Sequence, residues 1–257
     1  MKFRFTSDLH FDFCKDESDL DYILPPLPAD KETTLLLAGD IGTAKNIIRP
    51  LRYLANRFYK VVYCLGNHDY YGSTIQKTLN YQAKIQKELK NVILLESSSV
   101  EICGITIIGG TLWTDFSLFN TPAASGQVAE YYMNDYRKIR RDDFSRLRAA
   151  DTRKIFLDTI DYFKQFKDTK NLIVMTHHAP SDKSIRIDWK TNAASPAYAS
   201  NLEDFIRELK PKYWLHGHLH TFCRYNIGDT EVLSNCFGYI RYEENGMYDN
   251  KLVLDIS

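Results

Sequence analysis

The chain has 257 residues, enough for one large α/β domain or two small ones. With 44% hydrophobic and 26% charged residues it has the balance of an ordinary globular protein. Lys plus Arg and Asp plus Glu both number 33, so the net charge is zero and the broad basic field of a general nucleic-acid binder is excluded.

In chain order, short apolar runs at 2–7, 34–40, 61–66, 92–95, 105–110, 172–177 and 213–218 read as strands. Several are apolar at successive positions, which suits strands covered on both faces. Between them lie helix patterns. Ile47, Ile48, Leu51, Leu54, Ala55 and Phe58 share one face over 45–59, and similar patterns fall at 74–89, 152–166 and 202–210. This alternation predicts an α/β fold with a largely parallel core, and 1–257 reads as a single domain. From about Phe222 onward only strand candidates occur (CRYNI, TEVLSN, KLVLDI), favouring mixed or antiparallel strands and a second sheet there. Residues 113–150 form a long insertion between the 105–112 strand and the 152–166 helix, a possible cap.

The five cysteines are scattered and form no CxxC pair, which points to reduced thiols in a reducing compartment. The first residues, MKFRFTSDLHF, lack the apolar core of a signal peptide, and no apolar run approaches the ~20 residues of a membrane span. The expectation is a soluble cytoplasmic protein with no membrane partner.

Five polar clusters each follow a predicted strand: Asp8-Leu9-His10, Gly39-Asp40, Gly66-Asn67-His68-Asp69, His177-His178-Ala179-Pro180 and His216-Gly217-His218-Leu219-His220. All seven histidines fall within them. Singly, each has a plain structural explanation: a solvated strand end, a turn, or a hydrogen-bonded core histidine. Together they would require five coincidences at the strand ends where open α/β sheets bind ligands. Imidazole, carboxylate and amide oxygen suit Mn, Fe, Zn, Co or Ni, and the absence of cysteine excludes a thiolate-rich structural zinc site. In an extended segment, Asp-x-His and His-x-His project both side chains to one side. Such a pair can chelate one ion or hand one ligand to each of two ions. Seven candidate ligands are too many for one tetrahedral ion and enough for two. Two metals ~3.5–4 Å apart can stabilise the attacking and leaving oxygens at phosphorus.

This ordered set, spanning residues 8 to 220, resembles the calcineurin-like metallophosphoesterases. The resemblance implies a four-layer α/β/β/α sandwich of two mixed sheets flanked by helices, with two divalent transition-metal ions at their edge. It implies hydrolysis of a phosphodiester or phosphomonoester by a metal-bridging water attacking in line. Carried over by position, it assigns the first metal to Asp8, His10, Asp40 and His218. It assigns the second to Asp40, Asn67, His177 and His216, with Asp40 bridging. His68 is not a ligand in this family; with Asn67 it would meet the substrate and protonate the leaving oxygen. Asp69 would orient His68 or a ligand. Spacing to the proline turn favours His177 over His178, and His220 falls outside the ligand set.

The substrate is less legible. The insertion carries Tyr131, Tyr132 and Tyr136 and the basic run Arg137, Lys138, Arg140 and Arg141. It reads as a solvated helical excursion, or as a cap whose Arg holds a phosphate. The 181–200 loop with Trp189 is a second candidate wall. A small-molecule or nucleotide ester is favoured over a phosphoprotein or nucleic acid. A non-catalytic scaffold of the same fold, a nuclease and a redox metalloenzyme are the alternatives.

Overall fold

The structure is a computed structural model that describes residues 2–254 and 256. Strands β1 (Lys2–Thr6), β2 (Thr33–Ala38), β3 (Lys60–Cys64) and β4 (Val92–Leu94) run parallel in a first sheet. Helices α1 (Glu17–Ile23), α2 (Ile48–Arg57) and α3 (Ile75–Glu88) connect them. The second sheet begins with the hairpin of β5 (Ser98–Ile102) and β6 (Ile105–Gly110). After it come α4 (Pro122–Tyr132), α5 (Asp135–Lys138) and α6 (Ala149–Lys164), then β7 (Leu172–Thr176), α7 (Glu203–Leu209) and β8 (Tyr213–His216). The chain continues with β9 (Phe222–Ile227), β10 (Thr230–Asn235), β11 (Gly238–Tyr239), β12 (Glu243–Glu244) and β13 (Val253–Leu254). The second sheet has the order β5-β6-β7-β8-β10-β9, and β13 returns to pair antiparallel with β1 in the first.

The period of the strand explains the layering. Along β2 and β3, Leu35, Leu37, Val61 and Tyr63 face outward onto Leu51 and Leu54 of α2. Leu36, Ala38, Val62 and Cys64 face inward and meet Ile107, Ile173, Met175 and Leu215 of the second sheet. That sheet's outer side chains, Ile108, Val174, Trp214 and Val232, pack on Phe156 and Phe163 of α6 and Ile206 of α7. Each fully buried Leu or Ile contributes ~1.5–3 kcal/mol, so both faces of both sheets stabilise the sandwich. The result is the four-layer architecture of two mixed sheets between helices.

Helix positions follow the periodic patterns closely. Thr74 caps α3 by accepting from the Lys77 amide at 3.2 Å, and Ile47 becomes the N-cap of α2 rather than its interior. The sheet arrangement departs from expectation. The C-terminal strands divide among three sheets: β9 and β10 extend the sheet of β6 to β8, β13 joins the first sheet, and only the short β11 and β12 pair by themselves. Successive apolar residues demand cover on both faces without saying whether a helix or another sheet supplies it. Among the described residues, no helix is long and apolar enough to cross a membrane.

Candidate metal centre

The five clusters meet where the ends of β1, β2, β3, β7 and β8 adjoin. The backbone there is not extended. Asp8 (φ 55°), His10 (42°), Asp40 (51°), His218 (74°) and His220 (48°) all lie in the left-handed region. Such residues cost ~1–3 kcal/mol each and collect at functional sites, with Asp and His among the more tolerant types. The site pairs are therefore turned out of the strand path, not projected by strand period. Close backbone approach is built in as well: a Cβ on Gly66 would sit 2.1 Å from Asp40 Oδ1 and 2.4 Å from its amide.

One group gathers around His177. Its Nδ1 lies 2.8 Å from the Ala38 carbonyl, which can only accept, so that nitrogen carries a proton. Its Nε2 stands 2.9 Å from Asn67 Oδ1, 3.2 Å from His218 Nδ1 and 3.5 Å from Asp40 Oδ2. Asn67 is turned this way by Asp135, which accepts from its Nδ2 at 2.8 Å and from the Tyr71 hydroxyl at 2.7 Å. His218 is held by its ring, stacked on Tyr198 at 4.8 Å, and by its amide, which donates to Asp8 at 3.1 Å.

A second group gathers around His10. Its Nε2 is 3.1 Å from His220 Nε2 and 3.7 Å from Asp40 Oδ2, and His220 Nε2 is 3.5 Å from Asp8 Oδ1. Asp40 Oδ2 thus stands between the two groups, while its Oδ1 accepts from the His68 amide at 2.8 Å.

Electrostatics follow from burial and charge. Burial pushes Asp8 up, but the His220 hydrogen bond and the charges of His177 and His220 outweigh it and hold Asp8 at about 2. Burial depresses His177, yet Asp40 and Asp8 lift it to about 9; against the same penalty, Asp8 and Glu243 lift His220 to about 10. His10 is driven down to about 3 chiefly by burial. In each group, carboxylate oxygens and imidazole nitrogens converge, and burial with the carboxylates favours positive charge among them.

Several assignments made from sequence change. His216 does not reach the centre. Strand β8 is still intact at His216, which shares the outward face of Trp214; its Nε2 bonds Ser184 Oγ at 2.8 Å and its Nδ1 lies 3.0 Å from the Gly217 carbonyl. The chain turns only after Gly217, so His218 joins the His177 group, not the His10 group, and His220 joins His10 and Asp8. Asp69 does not orient His68. It accepts from the Ile41, Gly42 and Gly66 amides at 3.1, 3.0 and 2.8 Å, stapling the loop after β2 to the loop after β3. His178 packs on Trp113 at 5.2 Å and His218 at 4.3 Å, with Nδ1 at 3.2 Å from the Thr111 carbonyl.

Beside the centre lies a cavity of about 440 Å³. His68 lines it, its ring packed 4.2 Å from Tyr71 and its Nε2 3.2 Å from the Tyr239 hydroxyl. The outer wall is aromatic, with Tyr132 from α4 and Trp189 and Tyr198 from the 181–200 segment. The insertion's basic run is not in it. Arg141 pairs with Asp151 at 2.7 Å, Arg137 donates to the Tyr131 carbonyl and Lys138 lies over the Tyr71 ring at 4.8 Å. Arg186 is the one Lys or Arg among the described residues lining the cavity. Sequence reasoning missed Asp135, Tyr239, Glu243 and Arg186, none of which sits in a motif. It set His220 aside, although His218-x-His220 repeats the spacing of Asp8-x-His10.

A two-sheet sandwich carrying carboxylates, an amide and imidazoles at adjoining strand ends is an α/β protein of the metallophosphoesterase fold. A sequence model of the calcineurin-like phosphoesterases matches residues 1–222, and the chain belongs to that family. It is a hydrolase acting on phosphate esters. It is similar to an uncharacterised protein of Acanthamoeba polyphaga mimivirus, 28% identical over 277 residues, covering 94% of this chain and 92% of that one. A phosphopantetheinyl hydrolase from Mycobacterium tuberculosis has the same fold, with a TM-score of 0.75 at 17% identity over 93% of this chain and 90% of that one. A protein of Thermus thermophilus superposes with a TM-score of 0.51 at 13% identity, covering 91% and 88%.

Proposed function

We propose that this phosphoesterase works with two divalent cations, one held by Asp8, His10, Asp40 and His220 and the other by Asp40, Asn67, His177 and His218. The observation that carries the reading is the donor count around His177. With Nδ1 committed to Ala38 and the Asn67 amide nitrogen to Asp135, three atoms lie within 3.5 Å of Nε2: His218 Nδ1 and two oxygens that can only accept, Asn67 Oδ1 and Asp40 Oδ2. A divalent ion suits that oxygen-and-nitrogen set, displacing the proton that the carboxylates otherwise draw there. When bound, such ions would neutralise phosphate charge and acidify a water molecule.

The chain's own residues do the rest. Asp40 is shared by both groups and holds the His68 amide, so the proton donor is tied to the ligand set. His68, at the cavity wall, donates a proton to the leaving oxygen as the P–O bond breaks. Trp189, Tyr132 and Tyr198 receive the organic part of the ester and exclude water from it. A lone Arg186 in that wall supports a small ester with one reacting phosphate over a polyanionic nucleic acid. Residues 1–257 act as one unit, with 113–150 as a cap that contributes Asp135. Five unpaired cysteines support work in a reducing, cytoplasmic setting.

The test is metal analysis after chelator stripping and reconstitution with Mn(II), followed by a panel of aryl and alkyl phosphomonoesters and phosphodiesters. The panel includes a phosphopantetheinyl ester, because a structural neighbour bears that name. About two ions per chain and turnover of one ester class are expected. One ion per chain at saturation refutes the two-ion reading, and no turnover by the loaded protein refutes the catalytic one.

A further inference from the structure

The segment 237–244 lies beyond the residues matched by the family, 1–222, yet it closes one side of the centre. Phe237 and Gly238 donate their amides to the Ser7 and Asp8 carbonyls, each at 3.1 Å, so this hairpin is tied to the backbone of a ligand residue. Strands β11 and β12 pair Gly238 with Glu244 and Tyr239 with Glu243. Gly238 sits at φ +98°, and a Cβ there would lie 2.2 Å from the Glu243 carbonyl oxygen; the tight turn back requires glycine.

The hairpin aims Tyr239 into the site. Its ring packs 4.3 Å from His10 and 4.7 Å from His220, and its hydroxyl lies 3.2 Å from His68 Nε2. On the other side, the His68 ring packs on Tyr71 at 4.2 Å, tilted by 30°. The His68 ring is thus clamped by an aromatic face and a hydroxyl.

We propose that Tyr239 is a positioning residue, whose hydroxyl holds His68 in the orientation that delivers its proton to the leaving oxygen. This rests on the reading of His68 as proton donor. As the P–O bond breaks, the leaving oxygen takes the proton of His68 Nδ1, and the neutral imidazole that remains keeps its Nε2–H on the Tyr239 hydroxyl. Tyr239 takes no part in the proton transfer: its hydroxyl stays on His68 Nε2 at 3.2 Å while its ring is held against His10 and His220. It therefore serves as a fixed hydrogen-bond partner and not as an acid.

Leaving-group dependence separates this role from a merely structural one. A para-nitrophenolate departs without a proton, whereas an alkoxide needs one. Matched alkyl and para-nitrophenyl esters of the same phosphate are compared in Mn(II)-loaded wild type, Tyr239→Phe and His68→Asn. Tyr239→Phe is expected to lower the alkyl-to-aryl ratio of kcat about tenfold, part of the 10²–10⁴-fold range of acid–base catalysis, with KM changed less than about twofold. Metal content should stay at the wild-type value. Equal loss on both esters, no change in the ratio, or loss of metal from Tyr239→Phe overturns the proposal. If His68→Asn also leaves the ratio unchanged, the proton-donor reading itself fails; a selective His68→Asn beside an unselective Tyr239→Phe removes only the positioning role.

Discussion

His216 and His220 lie four residues apart, and the ligand set proposed above takes the second in place of the first. Alanine at each position separates the two. His216 is fully buried and makes contacts at 2.8 Å to Ser184 Oγ and 3.0 Å to the Gly217 carbonyl. Losing them removes roughly 1 kcal/mol apiece. Ser184 keeps the Tyr225 hydroxyl at 2.7 Å and is not orphaned, so the hydrogen-bond loss stays near that sum. With a small cavity added, His216→Ala should be destabilised by ~2–4 kcal/mol, a Tm fall of roughly 5–15 °C in a chain of this size. His220→Ala removes one of two imidazoles in the His10 group, and the Asp8–His220 contact at 3.5 Å with it. Its metal content should fall from about two ions per chain to about one. Both variants are dialysed against Mn(II), assayed for metal by elemental analysis and melted in parallel. A His216→Ala protein that loses an ion, beside a His220→Ala protein that keeps two, would refute the assignment.

Three further outcomes are expected. Asp135→Ala strands the Asn67 amide and the Tyr71 hydroxyl without their shared acceptor, and should weaken metal affinity ~10–100-fold in a competitive chelator titration. Asp30 neutralises Arg4 at 2.8 Å and Arg57 at 2.7 Å; Asp30→Ala leaves the buried Arg4 charge without its carboxylate and should cost ~3–5 kcal/mol in chemical denaturation. The Asp30 carboxyl lies below its ordinary value despite burial, so this stability is present above the ordinary carboxylate range and lost as pH falls through the depressed value. Glu96 behaves oppositely: burial raises it from 4.5 to about 7, against the opposing hydrogen bonds of Thr111. Between those values the folded state holds the proton that the unfolded chain has released, so stability declines as pH rises across that window. Since Glu96 is partly exposed, the effect should be ~1–2 kcal/mol, and Glu96→Gln should flatten the pH 5 to pH 8 difference in denaturation midpoint.

Much of the architecture was legible because local physics fixes it. Helical spacing at 74–89 and 152–166 marked α3 and α6, and the apolar runs marked β2, β3 and β7 to within two residues. The hairpin strand β5 was not legible: SSVEI is polar on its open face and short. The motif resemblance implied two sheets, but the residue pattern did not show which face meets the second one: Leu36 and Leu37 look alike in sequence, while one meets the other sheet and the other meets a helix. In the insertion, the visible feature was charge, yet the residue that reaches Asn67 is Asp135, an unremarked acid between Asn134 and Tyr136.

By itself the sequence determined the inventory of the site: which five strand ends carry acids, amides and imidazoles, and that their chemistry suits hard and borderline metal ions. Strand period and residue type are local properties, written within a few neighbouring positions. Which nitrogen meets which carboxylate was decided only by tertiary structure. The left-handed turns at Asp8, His10, Asp40, His218 and His220 take these side chains off the strand period. His216, still in the strand, keeps to it and points away. The partners that set ring and amide orientation, Ala38, Asp135 and Tyr239, come from 139, 68 and 171 residues away in the chain, a distance that no local pattern spans.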